Sequence, residues 1–280
     1  MREITSEAIT DRVKALFIEA NTVLGEDVLW AVRDALRSET SETGRYALEA
    51  ILENADIAAK EGIPLCQDTG VAVVFVELGQ DVHITGGSLY EAIQQGVRAA
   101  YHEGYLRKSL CDPLTRENTG DNTPAVIHTD IVEGDRLRIV AMPKGGGSEN
   151  MSRTAMLTPS QGIEGIREFV LRSVAEAGPN PCPPVIVGVG IGGSLEEAAL
   201  LAKKTLLRPA GKPNGSDERL AELERELLRD INDLGIGPQG FGGRTTALAV
   251  HVDMIPCHIA SLPVAVNIQC HVSRYREAVI

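Results

Sequence analysis

Residues 64–70 read PLCQDTG, with Cys66, Gln67, Asp68 and Thr69 in succession between a proline and a glycine. Core cysteines usually have apolar neighbours, so a thiol, an amide, a carboxylate and a hydroxyl in a row have the makings of a site. A thiolate holds a soft metal, a carboxylate can carry a proton, and an amide can orient a polar ligand. The chain has five cysteines, Cys66, Cys111, Cys182, Cys257 and Cys270, widely spread and without a CxxC pair. An odd, scattered set fits neither a disulfide framework nor a common zinc motif. The pairs Cys257-His258 and Cys270-His271 match no common finger either. Cys66, Cys182 and Cys270 stand in PLCQD, NPCPP and IQCHV, beside proline or polar residues. Three thiolates from distant segments fit an iron–sulfur cluster better than zinc, and three rather than four leave one iron open as a Lewis acid. For each cysteine taken singly the plain alternative is a buried apolar thiol; for Cys111, in LCDPL, that or a surface thiol is the expectation.

The glycine-rich segments divide by context. PKGGGSEN (143–150) has three glycines whose N–H groups are accessible and whose backbone is free to take positive φ, with Lys144 adding charge. It reads equally as an anion-binding nest or as a loop leaving a hairpin. VGVGIGGSLEEA matches G-x-G-x-x-G, but RPAGKPNG follows where a dinucleotide fold needs a second strand ending in an acid. A tight strand-to-helix turn is the expectation there. GIGPQGFGGRTT (235–246) offers either a carboxylate-binding Arg244 or a loop passing close to other backbone. NTGDNTPA (118–125) reads as Asx-turn chemistry.

The elements that must position these groups follow from periodicity. ITDRVKALFIEANTVL and SETGRYALEAILENADIAAKEG carry apolar residues at helical spacing, so the part up to about residue 60 reads as helical. VAVVFVEL (71–78) reads as a buried strand, and Ser88 with Glu91 opens a helix. AVIHTDIV (125–132) and DRLRIVAM (135–142) flank Glu133-Gly134 and suggest a hairpin. A helix over MLTPSQGIEGIREFVLRSVAEAG, a buried strand PVIVGVGIGG and a helix capped by Ser194 and Glu197 come next. KPNGSDE is the best linker candidate; a charged helix, SDERLAELERELLRDINDLG, and a strand, TTALAVHVDMI, follow it. The class expected is α/β, mixed α+β: a helical N-terminal region, then mixed β-sheets flanked by helices, as a single domain over 1–280.

Bulk properties remove several functions. Of the 280 residues 43% are hydrophobic and 24% charged, ordinary for a soluble protein. Aromatics at 4% and a formal charge of −12 argue against nucleic acid as partner, while leaving a small anion open. MREITSEAITDRV has no apolar h-region, and no run of 18 or more apolar residues exists, so neither a signal peptide nor a membrane helix is expected. A cytoplasmic protein with reduced cysteines is the default expectation.

PLCQDTG, NTGDNTPA, PKGGGSEN, NPCPPVIVGVGIGGS and HIASLPVAVNIQC, in this order, resemble the α subunit of two-subunit class I fumarate hydratases. The resemblance spans roughly residues 10–275 and extends to the α subunit of L-tartrate dehydratase and to the N-terminal domain of single-chain class I fumarases. It implies a hydro-lyase with a [4Fe–4S] cluster, on which Cys66, Cys182 and Cys270 fall at the ligand positions. Gln67, Asp68, Arg107, Gly146 and His258 fall at substrate-contacting positions, beside Lys144 and Gly145 of the glycine loop. Asp68 and His258 are the titratable candidates for catalysis. Single-chain relatives have LRYSQ around the arginine and a second cysteine in HxASCP; this chain has LRKSL and Leu262. The implied reaction is reversible hydration of fumarate to L-malate, a C4 dicarboxylate, with conversion of L-tartrate to oxaloacetate as the alternative. A separate β subunit is implied to complete the site, so the chain alone should be inactive, and pairing of two α chains is expected. A cluster-free, non-catalytic family member and a nicotinamide enzyme built on GVGIGG are the rival expectations.

Overall fold

In the computed structural model, residues 2–280 are described. Along the chain run β1 (Arg2–Thr5), α1 (Ser6–Thr22), α2 (Glu26–Ser38), α3 (Glu42–Glu61), β2 (Val71–Gly79), β3 (Val82–Thr85), α4 (Leu89–Glu103), β4 (Val126–Val132) and β5 (Leu137–Lys144). There follow α5 (Gly146–Glu149), β6 (Arg153–Leu157), α6 (Gly162–Ala177), β7 (Val185–Gly192), α7 (Leu195–Thr205), α8 (Glu218–Asn232), β8 (Ala247–Ile255), β9 (Leu262–Gln269) and β10 (Arg276–Val279). The class is α/β with mixed sheets, as the alternating periodicities require. The chain divides into two compact units built from separated stretches: 1–24, 54–146 and 274–280 form one, and 25–53 with 147–273 form the other.

The first unit is organised by a four-stranded sheet in the order β10-β5-β2-β4. Its core joins Ile9, Val13 and Phe17 of α1 and Ile93 and Val97 of α4 to Val74, Val76, Ile139 and Ala141 of the sheet. Ser88 caps α4 by accepting from the Glu91 N–H, as the sequence predicts. The predicted hairpin of 125–132 with 135–142 does not form. β2 lies between the two strands, parallel to β4 and antiparallel to β5. The reason is burial: β2 is an apolar run needing a partner on both edges, and it takes those that β4 and β5 would have given each other. The predicted helical start is also preceded by a short strand, β1, parallel to β3.

The second unit carries the sheet β6-β9-β7-β8. Residues of α6 and α8, among them Phe169, Val170, Leu223 and Leu227, pack with Val187, Val189, Val250 and Val266. Ala198 and Ala202 of α7 pack with Ala265 in a separate cluster. The glycines of GVGIGG serve this contact. A Cβ at Gly188 would lie 2.2 Å from the Ala202 carbonyl oxygen, and one at Gly190 2.2 Å from that of Ala198. They let α7 lie directly on β7, and Ser194 and Glu197 form the predicted capping box. KPNGSDE is not a linker: Asn214 is buried, its N–H donates to Glu224 and its side-chain amide donates to the Val252 carbonyl. Buried Glu224 holds that loop against β8.

Candidate active site

The PLCQDTG turn of the first unit is fixed from behind. The Leu65 N–H donates to the Asn21 carbonyl at 2.8 Å, and Asn54 Nδ2 donates to the Leu65 carbonyl at 2.9 Å. Gly70 takes φ +78°, and a Cβ there would lie 2.7 Å from the backbone of Lys144. Only glycine lets the turn cross so close to the end of β5. Since Val71 pairs with Lys144 in the β2–β5 ladder, the turn and the glycine loop emerge at the same strand ends.

Asp68 links the two. Its Oδ1 accepts the Gly70 N–H at 3.0 Å and its Oδ2 accepts the Gly146 N–H at 2.7 Å. The Asp68 N–H in turn donates to Cys66 Sγ at 3.4 Å, an N–H···S contact that suits a thiolate. Gly145 and Lys144 are buried, the latter 1% exposed, while Gln67 is exposed. The nest reading of PKGGGSEN thus holds for one N–H, and a carboxylate of the chain itself receives it. None of Gly145, Gly146 and Gly147 adopts positive φ. A Cβ at Gly145 would instead meet Asp68 Oδ2 at 3.3 Å, so the side-chain-free surface is what the loop contributes.

Three successive carbonyls of the turn are each held by a buried side chain. Arg274 Nη2 donates to the Asp68 carbonyl at 2.5 Å; Tyr101 Oη lies 2.7 Å from that of Thr69 and 2.9 Å from that of Gly70; Asn122 Nδ2 donates to the Gly70 carbonyl at 3.2 Å. Burial pushes the Tyr101 hydroxyl far above the ordinary phenol range, so it stays a donor. Asn122 also accepts the N–H groups of Ser109 and Leu110. Thr69 Oγ1 donates to the Arg107 carbonyl at 2.8 Å, so Arg107 reaches this corner by its backbone, with an exposed side chain. The NTGDNTPA segment forms the predicted Asx turns at Asn118 and Asp121, but sequence reasoning missed Asn122 as a clamp. It also missed Tyr101 and Arg274; a cation four positions after Cys270 was the only signal for the latter.

In the second unit, Cys182 and Cys270 come together. Ile186 pairs with Gln269, so the residues preceding β7 and following β9 share one sheet end. The His271 N–H donates to the Cys182 carbonyl at 3.4 Å, and His271 Nδ1 lies 2.9 Å from it. Cys182 is exposed and takes φ +55°, a conformation uncommon for a side-chain-bearing residue. His258 is elsewhere. It precedes β9, whereas Cys270 follows it, and eight residues of strand put roughly 23 Å between the two strand ends. The exposed His258 loop is closed on itself, with Nδ1 accepting the Ala260 N–H and the carbonyl accepting the Ser261 N–H. The apolar β9 that holds Cys270 in place is what separates it from His258.

Arg244 acts through its backbone. Its N–H and that of Thr245 donate to the carboxylate of buried Glu39, and a Cβ at Gly237 would lie 2.1 Å from Gly242. That is the close-backbone reading of this loop. Among the described residues no three His, Cys, Asp or Glu side chains gather into a group able to hold a metal ion. The fit to a cluster therefore rests on the donors: two cysteines at one strand end, and a third accepting a backbone N–H.

An α/β chain whose strand ends carry an acid, a buried lysine, a glycine loop and soft sulfur donors has the equipment of an enzyme for small anions. The comparisons give the family: the fumarate hydratase (Fumerase) model matches residues 10–279, and the chain belongs to this family of hydro-lyases. The chain is 47% identical over 272 residues to a protein of Methanocaldococcus jannaschii provisionally named L(+)-tartrate dehydratase subunit alpha, covering 95% of each. It is 34% identical to the L(+)-tartrate dehydratase subunit alpha of Escherichia coli K12, covering 95% of this chain and 88% of that one. Among the described residues no helix is long and apolar enough to cross a membrane.

Proposed function

We propose that the chain is the α subunit of a two-subunit hydro-lyase acting on a C4 dicarboxylate, with a β subunit supplying the remaining site groups. The corner that Asp68 forms with Gly70 and the 144–146 loop is the observation that carries this. The names of the relatives favour dehydration of L(+)-tartrate, and the subunit alpha in each name supports the β partner. Reversible hydration of fumarate to L-malate is the second reading, supported by the family match.

Cys66, Cys182 and Cys270 are the residues that would hold a [4Fe–4S] cluster, which when bound supplies a Lewis acid for the hydroxyl that departs. The rest is the work of the chain. Lys144 draws a substrate carboxylate by its charge toward the side-chain-free surface of the glycine loop. Gln67, exposed beside Cys66, orients the hydroxyl-bearing end, and Arg107 meets a carboxylate from the exposed rim. Asp68 takes the proton from the carbon next to the departing hydroxyl, on a carboxylate oxygen, and returns it in the reverse direction. His258 is the second titratable candidate, on the loop before β9, at the opposite end of that strand from Cys270.

Anaerobic co-expression with the β subunit and assays on both substrates test the proposal. Formation of oxaloacetate from L(+)-tartrate, or interconversion of fumarate and L-malate, is the expected result. Cys182→Ser should abolish the brown absorbance and the activity together. An active Cys182→Ser enzyme, or a wild type inert on both substrates, would sink it.

A further inference from the structure

Among the described residues Arg274 is the largest buried side chain, at 2% exposure, yet its Nε and Nη1 have no hydrogen-bond partner there. Among the described residues its one hydrogen bond runs from Nη2 to the Asp68 carbonyl. That bond does not need a charge: Tyr101 and Asn122, both neutral, hold the next two carbonyls of the same turn. A buried cation left incompletely bonded is costly, and apolar replacements of buried ions are often neutral or stabilising. The carbonyl alone therefore does not call for a guanidinium here, and the position of the charge does. Nη2 lies 4.0 Å from where a Cβ of Gly145 would stand, and Asp68 Oδ2 lies 3.3 Å from the same point. Buried Lys144 is the adjoining residue.

We infer that Arg274 is a positioning residue whose charge, held beneath the Asp68 turn and the glycine loop, draws a substrate carboxylate onto Gly145 and Gly146. It touches no substrate; it acts through the turn it bonds and through its field. Asp68 places a negative charge in the same corner, so an incoming dianion meets repulsion there that Lys144 and Arg274 together must outweigh. Nε and Nη1 have almost no exposed surface, so the field is weakly screened. This inference rests on the C4-dicarboxylate reading above.

The test separates charge from hydrogen bond in the αβ holoenzyme. Arg274→Gln keeps a donor for the Asp68 carbonyl and removes the charge; Arg274→Lys keeps the charge and loses the planar fork. The probe is succinate, a C4 dianion with no bond to hydrate or dehydrate, titrated by calorimetry alongside thermal melting. Arg274→Gln should weaken succinate about tenfold or more, and Arg274→Lys should restore most of that loss. KM for the turned-over substrate should rise in step, with kcat less affected. A purely structural arginine gives the reverse order, with Gln near wild type and Lys the worse variant, and that result overturns the inference. So does wild-type succinate affinity in Arg274→Gln. Where a variant melts low, the order of affinities in the folded protein still decides. Wild-type enzyme that binds succinate but converts neither fumarate nor tartrate defeats the functional proposal and leaves this one standing.

Discussion

Replacing Asp68 by Asn tests whether one carboxylate ties the PLCQDTG turn to the glycine loop. The aspartate accepts two backbone N–H groups with two different oxygens, Gly70 at 3.0 Å and Gly146 at 2.7 Å. An asparagine has one oxygen and an NH2, so in either orientation a donor faces a donor. One hydrogen bond to a charged group disappears, about 1.5–3 kcal/mol, and the other falls to neutral strength, about 1 kcal/mol less. The loss expected is about 2–4 kcal/mol in unfolding free energy. At roughly 2 °C per kcal/mol for a chain of this size, the melting temperature should drop about 4–8 °C. Hydrogen exchange supplies the specific readout: one of the Gly70 and Gly146 amides should lose protection while the β2–β5 ladder amides keep theirs. A melting temperature within about 1 °C of wild type, with both amides still protected, would refute the linkage. The same variant should lose nearly all hydro-lyase turnover, since Asn cannot take up the proton.

Two further predictions concern acid stability in the second unit. His251 on β8 is 1% exposed; burial, then the Arg208 guanidinium, push its pKa from 6.5 down to about 3. The unfolded chain takes up this proton near pH 6.5 and the folded chain does not. Stability is thus complete above pH 6.5 and falls as pH drops toward 3, by about 2 kcal/mol at pH 5. His251→Leu should lose about that much less than wild type between pH 7 and 5 in urea unfolding; equal losses would disprove the assignment. At Glu39, burial raises the carboxyl, but N–H groups of Ser41, Arg244, Thr40 and Thr245 outweigh it and hold it below 4.5. Its contribution is present above pH 4.5 and lost as pH falls through the lowered value. Glu39→Gln should therefore cost about 2–3 kcal/mol at pH 7 and progressively less below pH 4. A pH-independent cost would show that the carboxylate charge is not what organises the 243–245 loop.

What the sequence discloses here is local, and what it conceals is pairing. The caps at Ser88 and Ser194 and the buried runs of β2 and β7 follow from neighbours within four residues. The AVIHTDIV–DRLRIVAM hairpin fails because β2, from well before it in the chain, competes for both strands. The two units follow no composition shift, because the chain leaves and re-enters them at ordinary positions such as Leu24 and Gly146. KPNGSDE looks like a linker until Glu224, a residue of the next helix, is known to bond it. Among the candidate site residues, Cys66 through Asp68 and Lys144 through Gly146 meet because β2 and β5 pair in one register. Cys182 meets Cys270 by the register of β7 and β9. The same register sends His258 to the far end, which a motif list cannot reveal.

The glycines and donors around Asp68 explain why such a polar heptapeptide stands where a core would be expected. Four backbone groups of the buried side of the turn have partners: the carbonyls of 68, 69 and 70 are met by Arg274, Tyr101 and Asn122, and the Gly70 N–H by Asp68 itself. With the backbone so satisfied, the turn is held without using Gln67 or the Cys66 sulfur as structural ties to the core. Those side chains are left at the surface of a rigid support, where ligands and substrates can reach them. A flexible loop would carry the same residue types but lose the geometry, and a misplacement of about 1 Å can cost about a hundredfold in rate. The buried clamps are thus as much part of the candidate site as the residues that face outward, and Arg274 is the one among them whose charge the fold alone does not require.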